Sequence, residues 1–152
     1  MRKIAYLVFI LGILVQSVSA QTETVHKKQY NLEKGLAIQG YDPVSYFSGK
    51  PIEGNKAIAY IYSGVQYRFS NAKNLEAFKA NPEKYEPQYG GWCAYAMGTS
   101  GDKVEVDPET FKIVNGKLYL FYNKYFNNTL KSWNKDEARL KSKADMNWQK
   151  YK

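Results

Sequence analysis

Residues 111–120, FKIVNGKLYL, constrain the fold more than any other stretch. Asn-Gly between two β-rich apolar runs is the signature of a two-residue hairpin, because both central residues of that turn need positive φ. The chain is therefore expected to double back antiparallel at Asn115-Gly116. A second pair of strand-like runs, Ala57 to Tyr62 and Val65 to Phe69, meets across Ser63-Gly64. In the latter run Val65, Tyr67 and Phe69 alternate with Gln66, Arg68 and Ser70, as in a half-buried strand.

Helical patterns occupy much of the remainder. Ser70 or Asn71 caps a helix with Ala72, Leu75 and Phe78 on one face. Asn81 ends it and caps a short turn with Pro82 in first position and Glu83 near its positive end. A turn or two of helix is expected from Trp92 to Met97, stopping at Gly98. Asn123 is read as the cap of a helix with Phe126, Thr129, Leu130 and Trp133 on one side. Asn134 and Glu137 resemble a capping box for a last helix that turns Leu140, Ala144, Trp148 and Tyr151 inward. The expectation is an α+β domain: a small antiparallel sheet built from two hairpins, with helices packed around it.

The first 20 residues combine a basic start (Arg2, Lys3), an apolar run from Ile4 to Val15 and a small-residue cleavage site at Val18-Ser19-Ala20. That is the pattern of a secretory signal peptide, with an apolar run too short to span a bilayer. The organisation expected is signal peptide over 1–20, flexible leader over 21–35 and one domain over 36–152, periplasmic or secreted and monomeric. Without the two cations of the signal, the formal net charge of +8 becomes +6. The lysines are interspersed with acids and form no arginine-rich block, so the charge reads as a solvated surface and not as a nucleic-acid interface. Asp102, Glu105, Asp107 and Glu109 read as a solubilising cluster before the hairpin.

Cys93 is the sole cysteine, so no internal disulfide is available and packing must stabilise the domain. It lies in NPEKYEPQYGGWCAYAMG, residues 81–98, where Gly90-Gly91 allows a close approach of the backbone to another group. Tyr41, Asp42, Tyr46, Tyr89, Trp92, Cys93 and Tyr95 are the candidate ligand-binding residues, offering aromatic area and a few directed polar groups. The same side chains would equally fill a solid core; the binding reading takes them to surround a hollow holding a small molecule. A second reading makes Cys93 and Met97, four residues apart, soft ligands for copper or zinc, with His26 or Asp42 in support. Thiol catalysis would need a base beside Cys93, and the only histidine is His26 in the expected leader.

Tyr67-Arg68-Phe69-Ser70, Phe78 and Asn81-Pro82-Glu83-Lys84-Tyr85 resemble the core of a YHS domain. Gly40-Tyr41-Asp42-Pro43-Val44-Ser45-Tyr46-Phe47, Tyr89-Gly90-Gly91-Trp92-Cys93-Ala94-Tyr95 and Gly116-Lys117-Leu118-Tyr119-Leu120 are similar to the exported stand-alone bacterial form of that family. The likeness runs from about Leu36 to Trp148. It implies a small binding module, related to domains that accompany metal transport and hold metal through cysteine thiolates. This chain carries Ser45, Ser70 and Asn74 at the places where those relatives carry cysteines, so the thiolate set does not transfer.

Overall fold

Leu118, Tyr119, Leu120 and Phe121 are all buried, so the strand that carries them has a hydrophobic core on each face. The structure, a computed structural model, describes Glu23 and residues 26–152; the expected signal peptide lies outside the described residues. Both expected hairpins form. β3 (Asn55–Tyr62) and β4 (Val65–Phe69) turn at Ser63 and Gly64, with φ of 48° and 79°. β5 (Asp107–Val114) and β6 (Lys117–Phe121) turn at Asn115 and Gly116, with φ of 50° and 70°. Positive φ at both central residues is what the Asn-Gly signal demanded.

The hairpins do not join into one hydrogen-bonded sheet. β1 (Leu32–Glu33) pairs antiparallel with β2 (Leu36–Ala37), which pairs parallel with β4 at Leu36 and Gln66 and completes a four-stranded sheet in the order β1-β2-β4-β3. The β5–β6 pair forms its own two-stranded sheet. Among the described residues β6 pairs beyond β5 only through an isolated parallel bridge between Leu118 and Pro87, and both of its faces are buried. Leu118 and Leu120 join Tyr46, Val65, Tyr67, Phe69, Phe78 and Cys93 in one core. Tyr119 and Phe121 join Met97, Trp133, Leu140, Ala144 and Trp148 in the other. The second hairpin thus packs against the first through side chains and stands as a wall between two cores. The fold is α+β.

Helices surround that wall. α1 (Ala72–Ala80) starts where the Asn71 side chain accepts the Asn74 N–H, and α2 (Pro82–Tyr85) where Asn81 does the same for Lys84. α3 (Ala94–Thr99) follows the glycine pair, α4 (Thr129–Trp133) follows Asn128, and α5 (Glu137–Trp148) buries Leu140, Ala144 and Trp148. α3 and α5 meet closely at Gly98, where an added Cβ would lie 2.5 Å from the Leu140 carbonyl oxygen.

Three expectations need correction. Asn123 does not cap a helix: β7 (Asn123–Lys124) and β8 (Asn127–Asn128) form a third small hairpin, and Tyr125 and Phe126 reverse the chain at positive φ. Phe126 is consequently fully exposed and not part of a helix face. Asn134 is not the cap of α5; Asp136 holds that position, while Asn134 and Glu137 both accept hydrogen bonds from Lys112. Finally, residues 26–35 are packed onto the domain and not a loose leader. They supply β1, and the Asn31 N–H donates to the Gly90 carbonyl at 2.8 Å.

Candidate functional site

The glycine pair does permit a close approach, and the approaching group is the chain's own N-terminal segment. Gly90 has φ +60°, and a Cβ there would sit 2.8 Å from the Gln29 carbonyl oxygen. Asn31 Nδ2 donates to the Gly91 carbonyl at 3.2 Å, and Trp92 Nε1 donates to the Gln29 carbonyl at 2.7 Å. Residues 26–30 are thereby strapped across the loop that precedes α3.

Between this strap, the loop after α2 and the end of α5 lies an open cleft of about 340 Å³. His26, Gln29 and Tyr30 come from the strap. Glu83, Glu86 and Tyr89 come from α2 and the loop after it, and Asp145 and Trp148 from α5. A volume of this order admits a small molecule. A second hollow of similar size, bounded by Asn31, Leu32, Glu33, Gln39, Glu105 and Lys124, has no aromatic ring in its wall.

Glu86 is the least expected member of the cleft. It is 9% exposed, and its Oε1 accepts the Tyr67 hydroxyl at 2.6 Å while His26 Nε2 faces the same oxygen at 3.3 Å. A carboxylate taken this far out of water needs such bonds to offset its lost hydration. Its charge acts on the phenols around it. Burial first, then the Glu86 charge and a hydrogen bond to it, push the Tyr30 hydroxyl well above its ordinary value. Tyr67 is raised by burial, then by Tyr30 and Glu86. Across the cleft the Tyr89 hydroxyl donates to Asp145 Oδ1 at 2.8 Å, and burial together with that bond raises it too. These phenols remain hydrogen-bond donors throughout the neutral range. The His26 ring lies 4.6 Å from that of Tyr30, and Trp148 packs on Tyr89 at 6.2 Å.

Of the seven residues expected to share a pocket around Cys93, only Tyr89 lines this cleft. Cys93 is fully buried in the first core, where its Sγ accepts the Tyr122 N–H at 3.4 Å and lies 3.5 Å from Thr129 Oγ1. The thiol is therefore sealed from solvent and lines neither hollow. Asp42 is fully buried as well and is saturated by Val44 N–H, Ser70 N–H, Ser70 Oγ and Asn74 Nδ2. Tyr46 is buried and donates to the Pro108 carbonyl at 2.7 Å. Tyr41, half-buried, packs on the first core, Tyr95 bridges both cores, and Trp92 lies beneath the strap with Lys103 Nζ 5.7 Å from its ring. Met97 is buried in the second core, on the other side of β6 from Cys93. Among the described residues no three His, Cys, Asp or Glu side chains gather as a metal-holding group.

No family model, curated protein or solved structure matches the chain. Among the described residues no helix is long and apolar enough to cross a membrane. Sequence reasoning misses Tyr30, Glu86, Asp145 and Trp148 as a group because they come from three distant segments. The usable signal is Glu86 itself, an acid followed by Pro87 inside an aromatic-rich loop. His26, which by sequence belongs to a solvated tail, stands in the cleft wall.

Proposed function

We propose that the protein is an exported, non-catalytic binding module of the YHS type, whose ligand seat is the cleft between the 26–30 strap and α5. The observation that carries this reading is a largely buried carboxylate, Glu86, in the wall of an open 340 Å³ hollow flanked by aromatic rings. Pockets for small molecules combine apolar rings with a few fixed polar groups in this way. The YHS assignment is supported by the Tyr67 to Tyr85 and Tyr41 to Phe47 motifs, and export by the pattern of the first 20 residues. A binding role in place of thiol catalysis is supported by the separation of the two groups a thiol enzyme would couple: Cys93 contacts Thr129 and Tyr122, whereas His26 contacts Glu86.

The test uses His26, which as the only histidine gives a single set of imidazole signals. A library of small cationic, neutral and anionic metabolites is added to the full chain and followed by NMR. The reading expects at least one compound to shift the His26 ring and the Trp148 indole together. A library without any such compound overturns it.

A further inference from the structure

We infer that the cleft takes a small organic cation, an ammonium group on a short body; this rests on the cleft being the ligand seat. The chain as a whole is basic, with a formal net charge of +8, yet the cleft wall gathers Glu83, Glu86 and Asp145. Only His26 and Lys152 stand among them as potential cations. The three acids are not equivalent. Asp145 is already committed, with Lys141 Nζ at 2.7 Å on Oδ2 and Tyr89 on Oδ1. Glu83 is exposed at the rim and makes no ion pair among the described residues.

Glu86 decides the sign of the ligand. Tyr67 gives it a hydrogen bond and no charge, and His26 gives it a charge only when protonated. No lysine or arginine is paired with it among the described residues. A buried carboxylate without a fixed cation repels an anionic ligand and favours a positive one, most strongly where water is excluded. Tyr30, Tyr89 and Trp148 line the same cleft, Lys103 Nζ already stands 5.9 Å from the Trp148 ring, and aromatic rings attract ammonium groups. A bare metal ion fits less well, since the carboxylates and imidazole here do not converge as a three-ligand group. Rings beside a carboxylate suit a cation that carries carbon.

The experiment compares choline, ethanolamine and putrescine with neutral 3,3-dimethylbutanol and anionic succinate, each titrated into the full chain. The His26 ring signals and the Trp148 indole signal report occupancy. At least one amine is expected to bind, and choline to bind about tenfold more tightly than its neutral isostere, a difference of about 1.4 kcal/mol. Glu86→Gln should abolish amine binding. The rim variant Glu83→Gln, at an exposed position, should weaken it several-fold with an unchanged melting temperature. If the neutral or anionic compound binds as well as the amines, the cation assignment falls while the cleft survives as a binding seat. If amine binding is unchanged in a folded Glu83→Gln and in a folded Glu86→Gln, the assignment also falls. If none of the five compounds moves either signal, the cation assignment fails, and the wider library decides whether the cleft binds anything.

Discussion

Ser70 reaches back 28 residues to Asp42 with two hydrogen bonds, its backbone N–H at 2.9 Å and its hydroxyl at 2.7 Å, both on Oδ2. Asn74 Nδ2 adds a third bond to that oxygen, and the Val44 N–H occupies Oδ1 at 2.9 Å. Ser45 closes the group from the other side by donating to the Asp42 carbonyl. The three positions at which the YHS likeness would place cysteines, Ser45, Ser70 and Asn74, thus converge on one buried acid. The loop before β3 is tied by them to the start of α1.

Asp42→Ala is expected to cost about 3 kcal/mol, because it strands donors that are already out of water. Asp42→Asn keeps one acceptor oxygen but turns an amide toward the remaining N–H groups, so it should cost less than the alanine and still about 2 kcal/mol. Urea unfolding of the two variants checks both figures. A wild-type midpoint for Asp42→Ala would show that the network contributes nothing.

The Cys93 thiol is expected to be silent toward thiol reagents in the folded protein and to release one equivalent once the chain is unfolded. Its burial and its two polar neighbours, Tyr122 and Thr129, leave a reagent no path of approach. Cys93→Ser replaces the sulfur by a smaller, more strongly hydrated hydroxyl at a fully buried position and should lower stability by about 1–2 kcal/mol. Rapid labelling of native protein would restore the thiol as a candidate functional group.

Much of the fold was legible because local chemistry agreed with tertiary packing. Asn115-Gly116 fixed one turn, the alternation of Val65, Tyr67 and Phe69 fixed a face, and Asn71 and Asn81 fixed two helix starts. The site was less legible. Gly90-Gly91 correctly marked a close approach, but no local pattern says that the approaching group is Gln29, some 60 residues earlier in the chain. Clustering Cys93 with Tyr41 and Tyr46 treated aromatic residues as pocket walls, when two cores sharing β6 needed those rings as filling. Asn123 misled for another reason. An asparagine before an apolar run suits a hairpin as well as a cap, and nothing in Tyr125-Phe126 announces a turn.

Alkaline pH should destabilise the protein through its buried phenols. Tyr30, Tyr46, Tyr67 and Tyr89 are all held above the ordinary phenol value, with burial the largest cause in each. Their folded values are raised, so their contribution is complete below the unfolded value, about 10. It is lost as pH rises past that point, because the unfolded chain gives up protons that the native state retains. Phenolate absorbance should therefore rise in two stages: exposed tyrosines first, then the buried ones, Tyr119 among them, together with unfolding. Tyr67→Phe, which removes one such proton and the bond to Glu86, should flatten the fall in melting temperature between pH 9 and pH 11.

The tip of the β7–β8 hairpin is expected to be improvable. Tyr125 and Phe126 hold φ of 52° and 64°, a region in which a side chain crowds the following carbonyl at roughly 1–2 kcal/mol per residue. Both rings are also almost wholly in water, at 89% and 109% of full exposure, so packing returns nothing for that strain. Asparagine and glycine are the residues this two-residue turn prefers. Replacing the pair by Tyr125→Asn with Phe126→Gly should raise stability by about 1–2 kcal/mol and leave the cores untouched, since neither ring belongs to one. Thermal melts of the double variant against wild type give the sign directly. A lowered melting temperature would mean that the aromatic tip stabilises the hairpin despite its backbone, by more than the relief of left-handed strain returns.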